Sequence, residues 1–200
     1  MFMKTPHFQS LGSADPMIYS SIAVGNANAA LIRYAMSSSP LGRMLVAATN
    51  YGVCCIAFAD TDDALVCELR ERFAAAERHE DWAAMGTQVS TVLASLEELP
   101  KAMQLSLHIR ATAFQDRVWT ALRAIPRGET RTYAQVAASI GQPTAVRAVA
   151  RACASNPVAI AVPCHRVVGS NGALTGYRWG VERKRRLLEI ERSRNPEERS

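Results

Sequence analysis

From Leu31 the chain alternates between short apolar runs, over 31–36, 44–48 and 53–59, and polar breaks at 37–42, with Pro40 and Gly42, and at Asn50-Tyr51-Gly52. Runs this short, bounded by Gly, Pro and Asn, predict strands of an antiparallel sheet joined by tight turns. The spacing then changes. Leu65, Leu69 and Phe73 recur at intervals of four behind Thr61 and Asp62, so a helix capped by one of these two is expected to run to about Ala76. A second helix is expected over 87–99 and a further strand over 105–109. Residues 1–30 are rich in Ser, Ala, Asn and Gly without a clear period and read as a flexible lead-in.

The second half is helical in period. Thr112 opens a helix with Phe114, Val118, Leu122 and Ile125 on one stripe, stopped by Pro126 and Gly128. Residues 132–140 predict a short helix ending at Gly141, and Thr144 is placed to cap another that reaches about Ser155. A loop-rich stretch over 156–180 precedes a last helix from Val181 to about Glu191, and the charged tail over 192–200 is expected to be disordered. The expected fold class is therefore α/β of the α+β kind. A small N-terminal antiparallel-sheet domain spans 31–110, and a mostly helical C-terminal domain with a helix-turn-helix spans 111–191. The two short helices meeting at Gly141-Gln142-Pro143 are the helix-turn-helix candidate, although glycine corners between packed helices look the same.

Length and composition narrow the classes. At 200 residues, 48% of them apolar, the chain can bury a substantial core. No run approaches the roughly 20 apolar residues that span a bilayer, and the first eleven residues lack the apolar centre of a secretory signal. No membrane association and a cytoplasmic location are the expectation. The five cysteines, Cys54, Cys55, Cys67, Cys153 and Cys164, form no CxxC pair, so neither a disulfide framework nor a metal site is expected. Charge is uneven: residues 1–107 carry seven Lys/Arg against eleven Asp/Glu, and residues 108–200 carry sixteen against seven. A net of −4 beside one of +9 suits a polyanionic partner, and equally a basic half that serves solubility alone.

Two segments carry candidate chemistry. On the helix after Thr144, Val146, Val149, Ala150 and Cys153 share the face expected to pack on the core, while Arg147 and Arg151 stand opposite, flanked by Ala148 and Ala152. Small residues with cations suit close approach to a nucleic-acid backbone; an ordinary amphipathic helix has the same pattern. In Asn156-Pro157-Val158-Ala159-Ile160-Ala161-Val162-Pro163-Cys164-His165-Arg166-Val167-Val168-Gly169, an apolar run delivers a Pro-Cys-His step. Neighbouring side chains of an extended chain point to opposite faces, so a bridging water is a simpler link between Cys164 and His165 than a direct bond. The thiol would stay protonated unless something activates it. On the last helix Glu191 shares a side with Lys184, Leu187 and Leu188, where a carboxylate needs a mate that a histidine N–H would supply. Cys–water–His–Glu is then a proton relay. A structural thiol beside a surface glutamate is the alternative.

Pro163-Cys164-His165-Arg166-Val167-Val168, followed by Gly172-Ala173-Leu174-Thr175-Gly176-Tyr177-Arg178-Trp179-Gly180, closely resembles the active-site segment of the O6-alkylguanine–DNA alkyltransferases. Arg147-Ala148-Val149-Ala150 and Asn156 fit as well. The resemblance runs from about Leu31 to Glu191 and is strongest from Phe114 on. Within the family it is nearest the C-terminal alkyltransferase part of the longer bacterial adaptive-response proteins. It implies single-turnover transfer of an alkyl group from O6 of guanine, and from O4 of thymine, in duplex DNA to Cys164, with no cofactor. His165 would act through water as base, oriented by Glu191, and Asn156 would brace the turn before the cysteine. Tyr133 would aid base rotation and donate to the departing guanine, and Arg147 would fill the gap in the stack. Ala148, Ala150 and Arg151 would complete the DNA face, which in this family lies in the minor groove with little sequence preference. Val167, Cys153, Ala159, Leu174, Tyr177, Arg178 and Trp179 would line the substrate pocket, with carbonyls near Cys164 and Val167 accepting from the guanine amino group. A monomer is expected. Arg151 departs from the small residue that relatives carry there, which puts the groove fit in question.

Three other readings compete. A cysteine hydrolase would need a directly bonded histidine and an oxyanion hole, against which the adjacency of Cys164 and His165 argues. A sensor that flips the damaged base without repairing it would have no use for Cys164. A helix-turn-helix regulator would need more hydrogen-bonding side chains on its recognition face.

Overall fold

The computed structural model of the chain describes residues 19–23, 31–97 and 105–193. Three strands, β2 (Leu31–Ser39), β3 (Gly42–Thr49) and β4 (Gly52–Ala59), form the expected antiparallel meander. β3 and β4 are buried along nearly their whole length, which is why they read as continuous apolar runs rather than alternating ones. The sheet is larger and more mixed than the sequence indicates. Its order is β1-β6-β4-β3-β2-β5, with β1 (Tyr19–Ala23), β5 (Glu77–Glu80) and β6 (Leu107–Ala111) all paired in parallel.

β1 corrects the reading of 1–30 as a lead-in: five of its residues pair with β6, while 1–18 and 24–30 lie outside the described residues. β5 is the polar Glu77-Arg78-His79-Glu80, an edge strand with β2 as its sheet neighbour. An edge strand has little apolar pattern to betray it, because one of its sides pairs with nothing. β6 begins two residues later than expected.

Helix α1 (Asp62–Arg72) is capped by Thr61, whose hydroxyl accepts from the Ala64 amide, and it buries Leu65 and Leu69. It stops four residues short of Ala76, because Phe73 leaves the helical region and the chain turns back into β5. Arg78 secures that exit by donating to the Phe73 carbonyl at 2.6 Å. Helix α2 (Trp82–Glu97) starts five residues before the expected Thr87, since Asp81 caps it by accepting from Ala84 at 2.9 Å. Its expected end at 98–99 lies outside the described residues.

The second half follows its caps closely. Thr112 with Gln115, and Thr132 with Gln135, form reciprocal capping boxes at the starts of α3 (Ala113–Arg123) and α4 (Tyr133–Ser139). Thr144 does not cap the next helix. α5 (Val146–Ala154) starts from Ala145 with no side-chain cap, so the turn after α4 rather than a hydroxyl sets its entry. On α5 the buried residues are Val149, Ala152 and Cys153. Ala152 therefore belongs to the core face, not to the arginine face, and its carbonyl accepts from Trp119 Nε1 at 2.9 Å. Arg192 is the last residue of α6 (Val181–Arg192) rather than the first of a tail, and 194–200 lie outside the described residues.

The two halves share one continuous core, and the cysteine segment docks directly on the sheet. Ile56 of β4 donates to the Pro157 carbonyl and accepts from the Ala159 amide, both at 3.0 Å. A two-residue ladder, β7 (Arg131–Thr132) against β8 (Val167–Val168), ties the entry of α4 to the residues just after Cys164.

Candidate active site

The approach to Cys164 is two tight turns. Ala161 N–H bonds to the Ala159 carbonyl at 2.7 Å around Ile160, whose φ of 68° makes it the one non-glycine residue with positive φ among the described residues. Cys164 N–H then bonds to the Val162 carbonyl at 2.8 Å around Pro163, at φ −80° and ψ 60°. The first is the rarer, strained γ-turn and the second its relaxed inverse. A β-branched residue at positive φ costs on the order of 1–3 kcal/mol and persists only where its surroundings over-determine it. Here the Ala159–Ile56 bond and the core position of Val158, Ala159 and Val162 supply that restraint.

Cys164, His165 and Arg166 form a single 3-10 turn, not the extended step that would send neighbouring side chains to opposite faces. Cys164 is buried, and burial pushes its thiol up to about 11, with the Asn156 hydrogen bond and the Lys184 charge acting in the other direction. Asn156, fully buried, donates through Nδ2 to the Val162 carbonyl at 2.8 Å and to Cys164 Sγ at 3.2 Å, while its Oδ1 accepts from Val158 N at 3.0 Å. One side chain thus fixes both turns and the sulfur.

His165 is also fully buried, and its Nε2 lies 2.8 Å from Glu191 Oε1. Burial lowers the imidazole below its ordinary value, outweighing the carboxylate's pull in the other direction. A neutral ring beside an ionised carboxylate carries its proton on Nε2, which leaves Nδ1 as the acceptor nitrogen. Nδ1 has no hydrogen-bond partner among the described residues. Burial would raise Glu191, but hydrogen bonds from His165 and Arg166 outweigh it and hold the carboxyl below the usual carboxylate range. Arg166 contacts Glu191 through Nε and, at 2.9 Å, through Nη2; its Nη1 donates to the Ile125 carbonyl at 2.6 Å. Gly128 N–H adds a bond to Oε2 at 3.2 Å. A buried carboxylate needs this density of donors to stay ionised.

Lys184 is buried completely on the inner face of α6, and its Nζ donates to the carbonyls of Val167 at 2.6 Å, Thr175 at 3.1 Å and Gly176 at 3.3 Å. An ammonium has three donors, and all are used. Burial lowers its pKa. The sequence hints at this only through a lysine on the stripe of Leu187 and Leu188. Arg166 and Gly128 as partners of Glu191 are invisible in it, because both arrive from distant loops. The Val167 carbonyl, expected to face a guanine amino group, accepts from Lys184.

Of the remaining expected residues, Tyr133 opens α4 half-buried and donates to the Thr175 carbonyl at 3.2 Å. Leu174 is half-buried beside this loop, and Val167 and Trp179 are buried. The Tyr177 ring meets His165 edge-on at 6.5 Å and Trp179 at 5.2 Å, so the loop after β8 does wall the histidine. Cys153 is buried, and burial pushes its thiol well up. Two residues differ from their expected pocket role: Ala159 packs in the core against β4, and Arg178 points away to Glu68 of α1 at 2.7 Å. Arg147 and Arg151 are exposed on α5, with Ala148 and Ala150 half-buried between them. Among the described residues no three His, Cys, Asp or Glu side chains are grouped to hold a metal ion.

Residues 113–193 match the family model described as 6-O-methylguanine DNA methyltransferase, DNA binding domain. The chain is 50% identical over 160 residues to the bifunctional transcriptional activator/DNA repair enzyme Ada of Escherichia coli, covering 80% of this chain and 45% of that protein. It thus spans less than half the length of that relative. Over 160 residues it is 41% identical to the methylated-DNA–protein-cysteine methyltransferase of Methanosarcina acetivorans, covering 98% of it. The crystal structure of Mycobacterium tuberculosis OGT in complex with DNA superposes with a TM-score of 0.66 at 36% identity, over 82% of this chain and 95% of that one. A relative matched along its whole length, and a family match that contains the cysteine, the histidine and the glutamate of one buried cluster, make this chain a member of the methylated-DNA–protein-cysteine methyltransferase family.

Proposed function

We propose that this chain repairs DNA directly, moving the alkyl group from O6 of guanine, or from O4 of thymine, in a duplex to Cys164, once per molecule. The observation that carries this reading is a buried thiol in the same tight turn as a buried histidine whose Nε2 is held by Glu191. The thiol proton passes through water to His165 Nδ1. Sulfur then attacks the alkyl carbon in line, the S–C bond forms as the C–O6 bond breaks, and guanine leaves with a proton equivalent to the one the thiol lost. The product thioether resists hydrolysis, so the thiol is not regenerated.

The O6 group lies inside the helix, so the nucleotide must be rotated out, at a cost of a few kcal/mol. Tyr133 exchanges its bond to the Thr175 carbonyl for one to the departing base, and Arg147 occupies the space left in the stack. The small Ala148 and Ala150 beside exposed arginines favour docking of α5 in the minor groove with little sequence preference, as a monomer. A relative solved in complex with DNA and a family model named for DNA binding support the partner. Base analysis of a duplex with a single O6-methylguanine tests the reading. The account expects guanine restored in proportion to protein, up to one equivalent. Turnover beyond one equivalent, or tight binding with the lesion intact, would point to hydrolysis or sensing instead.

A further inference from the structure

The loop over 174–180 carries Tyr177 against His165 and Trp179 against Tyr177, yet its own hydrogen bonds are few: Thr175 N to Ala173 O and Gly180 N to Tyr177 O within the main chain. Gly176 and Gly180 sit at φ of 53° and 97°, so the backbone itself does little to stiffen the segment. From the inside it is held by Lys184 on the Thr175 and Gly176 carbonyls. From the outside it is held by the N-terminal half. Arg178 donates to Glu68 of α1 at 2.7 Å. Arg183, at the start of α6, donates to the Trp179 carbonyl at 2.9 Å and to the Leu41 carbonyl at 2.7 Å, with Asp60 at its other nitrogen.

The turn between β2 and β3 is shaped for this contact. Gly42 has φ 97°, and a Cβ there would come within 3.2 Å of Arg183 Nη2 and 3.1 Å of the Ala59 carbonyl. The partners differ in weight. Asp60 is almost fully exposed and is screened by water, whereas Glu68 is largely covered and also accepts from Arg72, which reaches the Ser155 carbonyl at the end of α5. Glu68 is therefore the stronger outer anchor of the loop.

We propose that Glu68, through Arg178, is a specificity-determining positioning residue: it sets how far the Tyr177–Trp179 wall can retreat, and so which alkyl groups reach Cys164. The proposal rests on the alkyl-transfer reading above and deepens it. A methyl group needs no retreat of the wall; a benzyl group does. Loosening the anchor therefore changes the ratio of the two rates rather than both together.

The test measures single-turnover transfer from duplexes carrying O6-methylguanine or O6-benzylguanine, for the unaltered protein, Glu68→Gln and Arg178→Gln. In Glu68→Gln the benzyl-to-methyl rate ratio rises roughly two- to fivefold, the range that a part-exposed ion pair supplies, with the methyl rate within about twofold of the unaltered value. Arg178→Gln, which removes the same pair from its other side, raises the ratio by a similar factor. An unchanged ratio in either variant, or both rates moving alike, would overturn the proposal. Absence of methyl transfer by the unaltered protein would overturn the functional reading and the proposal with it.

Discussion

His165 Nε2 and Glu191 Oε1 lie 2.8 Å apart with both side chains buried, although 26 residues separate them in the chain. This contact assigns the imidazole its tautomer and turns Nδ1 into the free base. It also joins the cysteine turn to the last helix, so the proposed transfer and the stability of the fold draw on the same carboxylate.

Glu191→Gln tests that double role. The amide can still accept from His165, but it presents an NH2 group toward Arg166 and removes the charge that compensates it. Breaking a buried pair in this way costs about 3 kcal/mol, which denaturant unfolding would register. The single-turnover transfer rate falls about 100-fold, a typical share for an oriented base. DNA binding, which the proposed docking assigns to α5, is expected to stay as it was.

The pH dependence follows from the directions of the shifts. His165 has its folded value held below 6.5, so the stabilisation from its neutral form is present above pH 6.5 and is lost as pH falls below it. Glu191 has its folded value depressed from 4.5, so its contribution is intact above that pH and is lost only on further acidification. Melting temperature should accordingly be level from pH 8 to about 6.5 and decline below that, steepening under about 4.5. Transfer rate should hold at the start of that decline and drop only at lower pH, as the native His165, held below 6.5, takes a proton. A melting temperature level from pH 7 to 5 contradicts this assignment.

Asn156→Ala removes two donors and an acceptor from the turns that present the sulfur. Leaving the Val158 amide unpaired in the core costs about 1–3 kcal/mol, while the Val162 carbonyl keeps its bond from the Cys164 N–H. Because the Asn156 bond lowers the thiol pKa from where burial alone would put it, the variant's thiol rises above about 11. Iodoacetamide labelling of Cys164 across a pH series should show its midpoint moving upward. A midpoint that moves down would mean the bond is not made to sulfur in solution.

Arg147→Ala and Arg151→Ala probe the DNA face. Each arginine that contacts a phosphate contributes about one unit to the slope of log affinity against log salt, without sequence dependence. Titrations at several salt concentrations should show a shallower slope for each variant that removes such a contact. Arg151 is the sharper case, since a side chain that merely sits in solvent would leave both slope and affinity unchanged.

Much of this site was legible in the sequence because its signals are local. The Pro163-Cys164-His165 step, the helix starts at Thr112 and Thr132, and a glutamate on the same stripe as Leu187 and Leu188 each need only a few neighbouring residues to be read. What escaped depends on partners far along the chain. β1 and β5 exist only because β6 and β2 offer them an edge. α1 ends early because Phe73 must turn the chain toward β5, although the alanines that follow favour helix. Arg166 reads as one more surface cation until the fold brings Ile125, Gly128 and Glu191 around it. The positive φ of Ile160 is the opposite of what its side chain prefers and follows only from the way the segment docks on β4.

The central claim is that Cys164 itself receives the alkyl group, and mass spectrometry tests it most directly. The protein is mixed with excess duplex carrying one O6-methylguanine, and intact and peptide masses are recorded beside those of Cys164→Ala. The account predicts the mass of one added methyl per molecule, confined to the peptide with Cys164 and absent from the variant. An unchanged mass despite binding to the lesion, or a methyl found on Cys153 or another residue, would contradict it.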